Sequence, residues 1–165
     1  MEEIRKMTEK ICGLLDSLGE KYSLHTNKEE EFKGMSDDTI SIKLVNGAGE
    51  EMFIDVDDEI TLYFGGWHSH YYYEEYDDFR LCLEKILDSR IAVEYFKTDG
   101  AWRWSACLDP DEEDYVPQSR EEVLEYLKKE SPNLVRKAQT AEYFITFWNE
   151  KISRKYSFSD DEMSC

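Results

Sequence analysis

The chain has 165 residues, 38 of them acidic and 20 basic, giving a formal net charge of −18, and 14% of its residues are aromatic. That aromatic content excludes a disordered chain. No apolar run approaches the roughly 20 residues that span a bilayer, and the surplus negative charge repels the phosphates a nucleic-acid binder must neutralise.

The first periodic segment is helical. Ile4, Met7, Ile11, Leu14, Leu15 and Leu18 recur at three- and four-residue steps, with charged residues between them, and Gly19 supplies the stop. Residues 20–38 are polar and predict a loop with at most a short strand near 22–26. The period then changes to two. Ile40, Ile42 and Leu44, then Met52, Ile54 and Val56, then Ile60, Leu62 and Phe64 read as three strands of an antiparallel meander. Asn46-Gly47-Ala48-Gly49 and Asp57-Asp58 supply the turns.

Tyr76, Phe79, Leu83, Ile86 and Leu87 give a second helix, with Asp77 and Asp78 in its first turn. Ile91, Val93 and Tyr95, a turn at Asp99-Gly100, and Trp102, Trp104, Ala106 and Leu108 form a hairpin. Ser119-Arg120-Glu121-Glu122 is a capping box for a third helix that stops before Pro132. Residues 141–148 and 151–156 favour a final hairpin over a helix. The predicted fold is α+β, in the order α-βββ-α-ββ-α-ββ, a mostly antiparallel sheet with about three helices packed on one face. Residues 1–158 are expected to form one domain, followed by a frayed acidic tail over 159–165.

Cys12, Cys82, Cys107 and Cys165 are widely spaced, with no C-x-x-C pair. The N-terminus has no apolar signal region. The expectation is a cytoplasmic chain with reduced thiols.

The most distinctive stretch is Phe64-Gly65-Gly66-Trp67-His68-Ser69-His70-Tyr71-Tyr72-Tyr73, read as a loop between a strand and a helix. His68 and His70 in H-x-H spacing are weak candidates for metal ligands, with Glu74, Glu75, Asp77 or Asp78 completing a shell. No zinc motif supports them, so no metal or other cofactor is expected. Such an aromatic cluster commonly closes a core. Three consecutive tyrosines cannot all face inward on an extended segment, however, and tyrosine and tryptophan are low-entropy contact residues. Trp102 and Trp104, two apart on one strand, are read as sharing a face, either in the sheet core or as a platform for a small ligand or peptide.

Enzyme templates fail. The sequence has no G-x-S-x-G, no P-loop and no G-x-G-x-x-G. Asp109, Asp111 and Glu113 begin like an EF-hand loop, but Asp114 stands where that loop needs Gly and Arg120 where it needs Glu. A metal-dependent hydrolase centred on His68 and His70 stays open as the alternative to a binding role.

The block Tyr63-Phe64-Gly65-Gly66-Trp67-His68-Ser69-His70-Tyr71, followed by an acidic stretch, an amphipathic helix and a Trp-bearing hairpin, resembles the small acidic immunity proteins encoded beside bacterial polymorphic toxins. The likeness extends over residues 40–110. It implies a non-enzymatic role: binding a cognate toxin domain, often a basic nuclease, and occluding its active site. The charge independently points the same way. A magnitude of 18 exceeds the ~2–8 that keeps a small domain soluble, and the self-repulsion costs stability. A basic protein partner accounts for it. The expected contact residues are Trp67, His68, His70, Tyr71, Tyr72, Glu74, Glu75, Asp77 and Asp78.

Overall fold

The computed structural model describes residues 1–112 and 114–164, the side chain of Ser164 excepted. Glu113 of the EF-hand-like run and Cys165 lie outside the described residues. The chain divides into two compact units, Met1–Glu84 and Lys85–Cys165. Both are α+β with antiparallel sheets, and no helix among the described residues is long and apolar enough to cross a membrane.

The first unit opens with α1 (Glu2–Leu18), which buries Ile4, Thr8, Ile11 and Leu15. Gly19 caps it in the left-handed conformation at φ 77°, where its N–H reaches the Asp16 and Leu15 carbonyls. A five-stranded meander follows: β1 (Tyr22–His25), β2 (Ile40–Val45), β3 (Glu51–Val56), β4 (Ile60–Phe64) and β5 (Trp67–Tyr71), side by side in chain order. The period-two residues do what their spacing predicts. Ile42, Ile54 and Leu62 pair in one cross-strand row, and Leu44, Met52 and Phe64 in the next. All six are buried, and α1 packs on the sheet at β3. A 3₁₀ turn (Tyr73–Glu75) leads into α2 (Tyr76–Leu87). Phe79 of α2 meets the Tyr71 ring edge-on at 5.7 Å, and Lys10 of α1 lies 3.4 Å above the Tyr76 ring, so both helices cover the same sheet face.

Strand β5 differs from the sequence reading, which made residues 67–73 a loop. Gly65 and Gly66 adopt φ 56° and 81°. Two consecutive positive φ values form the turn that matches strand twist in a two-residue hairpin. Ser69 at the centre of the core-side row, opposite Leu62, interrupts the apolar alternation that would have marked the strand.

The second unit is a four-stranded sheet, order β7-β6-β8-β9, built from β6 (Ala92–Thr98), β7 (Ala101–Leu108), β8 (Thr140–Thr146) and β9 (Arg154–Ser159). The final hairpin is present, but β9 starts later than expected because a 3₁₀ turn (Glu150–Ile152) lengthens the connection. Helix α3 (Arg120–Glu130) has the serine half of the expected capping box, with Ser119 Oγ accepting from the Glu122 N–H at 3.2 Å, while Glu122 Oε2 accepts from the Gln118 N–H rather than from Ser119. Two short helices were not anticipated. In α4 (Pro132–Lys137), the proline that ends α3 also starts the next helix, since its fixed φ and missing N–H suit a first turn. In α5 (Asp160–Ser164), the stretch expected to fray turns back and buries Met163. Val123, Leu127, Val135 and Met163 from these helices join Phe96, Tyr143, Ile145 and Phe158 in one core.

Within that core lies a buried carboxylate. Glu94 is 1% exposed and accepts hydrogen bonds from Tyr126 Oη at 2.9 Å and from Tyr143 Oη on its other oxygen. Burial lifts its carboxyl above the ordinary glutamate value, and the two phenols oppose that shift. Each phenol is itself pushed up, first by burial and then by the Glu94 charge. The pairing satisfies both carboxylate oxygens of a group that would otherwise be costly to bury.

Candidate functional site

The pleat of β5 sorts the residues singled out from the sequence. Trp67, Ser69 and Tyr71 pair with Phe64, Leu62 and Ile60 and so share the helix-covered face. Trp67 and Tyr71 are half-buried there. His68 and His70 pair with Tyr63 and Thr61 on the opposite face and are exposed. The aromatic block is thus divided between core and surface. Tyr72, the first residue past the strand, is 62% exposed. Its backbone N–H donates to Glu75 Oε2 at 2.8 Å, which fixes the start of the 3₁₀ turn. Tyr73 turns its hydroxyl onto the Asp57 carbonyl. Glu74, Glu75, Asp77 and Asp78 are all exposed. The two aspartates sit in the first turn of α2, where the helix dipole favours them. Arg80 lies 3.8 Å from Asp77 and 3.8 Å from Glu84, pairs too exposed to neutralise the patch.

The histidines have other partners than a metal. His70 Nδ1 lies 2.6 Å from Glu59 Oε1 and 3.2 Å from Thr61 Oγ1, and the His68 and His70 rings meet edge-to-face at 5.2 Å. Among the described residues no group of three or more His, Cys, Asp or Glu side chains is arranged to hold a metal ion. His25, on β1 at the far edge, bonds Glu29 at 2.7 Å and stacks on Phe32. Asp109 and Asp111 of the EF-hand-like run are engaged by Lys85, at 2.6 and 3.1 Å.

The expectation that Trp102 and Trp104 share a face is overturned by the ladder. Trp104 pairs with Phe96 and Trp102 with Lys97, the next residue of β6. Adjacent residues of a strand point to opposite faces, so the two tryptophans do as well. Arg103 is the extra residue of a β-bulge and donates through Nε to Thr98 Oγ1 at 2.6 Å. Trp104 is half-buried and packs against the core, with its indole N–H on Ser131 Oγ at 3.0 Å. Trp102 is 56% exposed. A bulge leaves no signature in apolar alternation, so spacing alone could not separate them.

A further site lies on the helix-free face of the first sheet. Ser41 and Asp55 are cross-strand partners, as are Phe53 and Tyr63. Phe32 and Met35, from the segment joining β1 and β2, stand over them and close a cleft of about 320 Å³. Burial holds the Asp55 carboxyl above the ordinary aspartate value, and the nearby Asp57 charge adds to the shift. Ser41 is close enough to moderate that shift, but its hydroxyl meets no partner in hydrogen-bond geometry. Lys43 beside the cleft is held by Glu51 at 2.5 Å and by Glu31 at 3.8 Å. Two aromatics, Phe53 and Tyr63, at the off-phase positions of half-buried strands were the available signal for this site.

Comparison with protein-family models, with curated proteins and with solved structures returns no match.

Proposed function

We propose that this is a non-catalytic binding protein that docks on a basic protein partner through the surface formed by His68, His70, Tyr72, Glu74, Glu75, Asp77 and Asp78. The observation that carries the reading is the combination at the end of β5. Tyr72 is a large ring held open to solvent on an ordered turn, with four exposed carboxylates in the next six residues. Aromatic anchors of this kind supply binding energy when desolvated, and a single-sign rim speeds encounter and rejects partners of the same sign. A net charge of −18 extends the same steering over the whole chain.

The narrower form of the proposal is the immunity role suggested by residues 63–71: the partner is a toxin domain, bound in the cytoplasm and occluded. The two forms are tested together. The protein encoded by the adjacent reading frame is purified and titrated with the full chain by calorimetry, wild type and with Glu74, Glu75, Asp77 and Asp78 reversed to Lys. Tight binding that the reversal weakens, together with protection of cells expressing that protein, supports the reading. Absence of binding at low salt overturns the immunity form. Binding that is indifferent to the reversal overturns the assigned surface.

A further inference from the structure

We propose that the cleft walled by Phe32, Phe53 and Tyr63 and floored by Ser41 and Asp55 receives one arginine or lysine side chain of the basic partner. This rests on the docking reading above and adds a site to it on the helix-free sheet face that carries His68 and His70.

Three observations carry the inference. The first is an unsatisfied floor. Ser41 is 1% exposed, and its hydroxyl oxygen has no hydrogen-bond partner. Buried hydroxyls are ordinarily bonded, and an orphan one facing a cleft calls for an explanation. The second is the carboxylate beside it. Asp55 is partly buried beside the Ser41 hydroxyl, and no Lys, Arg or His among the described residues pairs with it. Thr39, the hydroxyl donor nearby, is bonded instead to Asp57. A half-buried carboxylate with no cation beside it costs stability in the free protein and regains it when a cation arrives. Burial already holds its carboxyl above the ordinary range. The third is the wall chemistry. The Phe32 and Phe53 rings meet edge-to-face at 6.2 Å, and Tyr63 lies beside Phe53's strand in the same cross-strand row. Ring faces attract a guanidinium or ammonium group while their bodies cover its alkyl stem.

Volume and charge fit this occupant. A cleft of about 320 Å³ stands at the lower limit of the ~300–1,000 Å³ of small-molecule sites, suited to a single long side chain. Lys43 is matched by Glu51 and Glu31, so it leaves Asp55 uncompensated. An anionic guest would face Asp55 and Glu31, and a purely apolar one would leave the Asp55 charge without a cation.

The test titrates the full chain with butylguanidinium, with N-acetyl-arginine N-methylamide and with 1-pentanol as the uncharged control, following amide and ring resonances by NMR. Both cations should shift resonances of residues 41, 53, 55 and 63, with the capped residue binding at least as well as the free cation, and pentanol should bind at least tenfold more weakly, in keeping with the strength of charge-assisted hydrogen bonds. Asp55→Asn should weaken cation binding about tenfold or more and at the same time raise the melting temperature of the free protein at pH 7. A purely structural aspartate would lower it. Equal binding of pentanol, unchanged cation binding in Asp55→Asn, or a lowered melting temperature overturns the proposal. Binding of butylguanidinium with exclusion of the capped arginine overturns a protein-borne guest. Each of these failures leaves the Tyr72 surface standing, because that surface is tested by charge reversal at residues 74–78.

Discussion

Trp102 and Trp104, two residues apart on β7, stand on opposite faces of their sheet because Arg103 is an extra residue in the ladder. The consequence is energetic. Trp104 contacts Phe96, Tyr126 and Tyr143, with ring centroids 5.6–6.4 Å away, and Trp102 is open to solvent. Trp104→Ala should cost about 3 kcal/mol, as for other large core truncations. Trp102→Ala should change stability by no more than about 0.5 kcal/mol. Urea unfolding of the two variants checks the contrast, and equal losses would contradict the bulge.

The pH dependence of stability follows from the buried carboxylates. Burial raises Glu94 and Asp55 above their ordinary values of 4.5 and 3.8, so the folded chain holds these protons at pH values where the unfolded chain has released them. Their contribution favours the fold at low pH and is lost as pH rises from the unfolded to the folded value. Melting temperature should therefore increase on acidification from neutrality toward about pH 5. Glu29, Asp111, Glu122 and Glu162 act oppositely. They are lowered by bonds from His25, from Lys85, from Tyr115 and from the Ser159 N–H respectively, and their stabilisation is lost only as pH falls below the ordinary carboxylate range. A stability maximum in mild acid is the expected profile, and Glu94→Gln should flatten its neutral-side slope. A melting temperature that falls steadily from pH 7 downward would contradict this.

The Glu94 pair also sets a mutational expectation. Tyr143→Phe removes one of two donors to a buried carboxylate and leaves that oxygen unpaired. The cost should be about 1–3 kcal/mol, with the larger part at pH values high enough to ionise the group. A loss below about 0.5 kcal/mol in denaturant unfolding would mean that water reaches Glu94.

Salt should stabilise the free protein. With a charge of −18, net self-repulsion opposes folding, and raising ionic strength from about 0.01 M to about 0.15 M shortens the screening length from ~30 to ~8 Å. Thermal scans across that range should show a rise in melting temperature. A fall would mean that favourable ion pairs such as Lys85 with Asp109 outweigh the repulsion.

Much of this architecture was legible in residue spacing. The strands at Ile42, Ile54 and Leu62 and the amphipathic faces of α1 and α2 came from periodicity, because each has one buried face. What escaped had a physical reason in each case. Strand β5 carries Ser69 in its core-side row and histidines outside, a pattern with little apolar contrast. Helix α5 is only five residues of polar sequence, and one buried methionine holds it in place. The bulge at Arg103 is a matter of pairing, which no single strand reveals. That at least one of Tyr71, Tyr72 and Tyr73 is exposed was legible, but not which one, because the strand that places them was not read. The cleft over Asp55 depends on where residues 26–39 cross the sheet, and a polar connecting segment gives no local sign of its path.

The docking account is tested most directly by association rates. The full chain and the protein encoded by the adjacent reading frame are mixed in stopped flow at several ionic strengths, with wild type, with Glu74, Glu75, Asp77 and Asp78 reversed to Lys, and with Tyr72→Ala. The account predicts a wild-type rate that falls steeply with salt, a slower and flatter rate for the charge reversal, and for Tyr72→Ala an unchanged association rate with dissociation at least tenfold faster. Rates that neither depend on salt nor respond to either variant would contradict it.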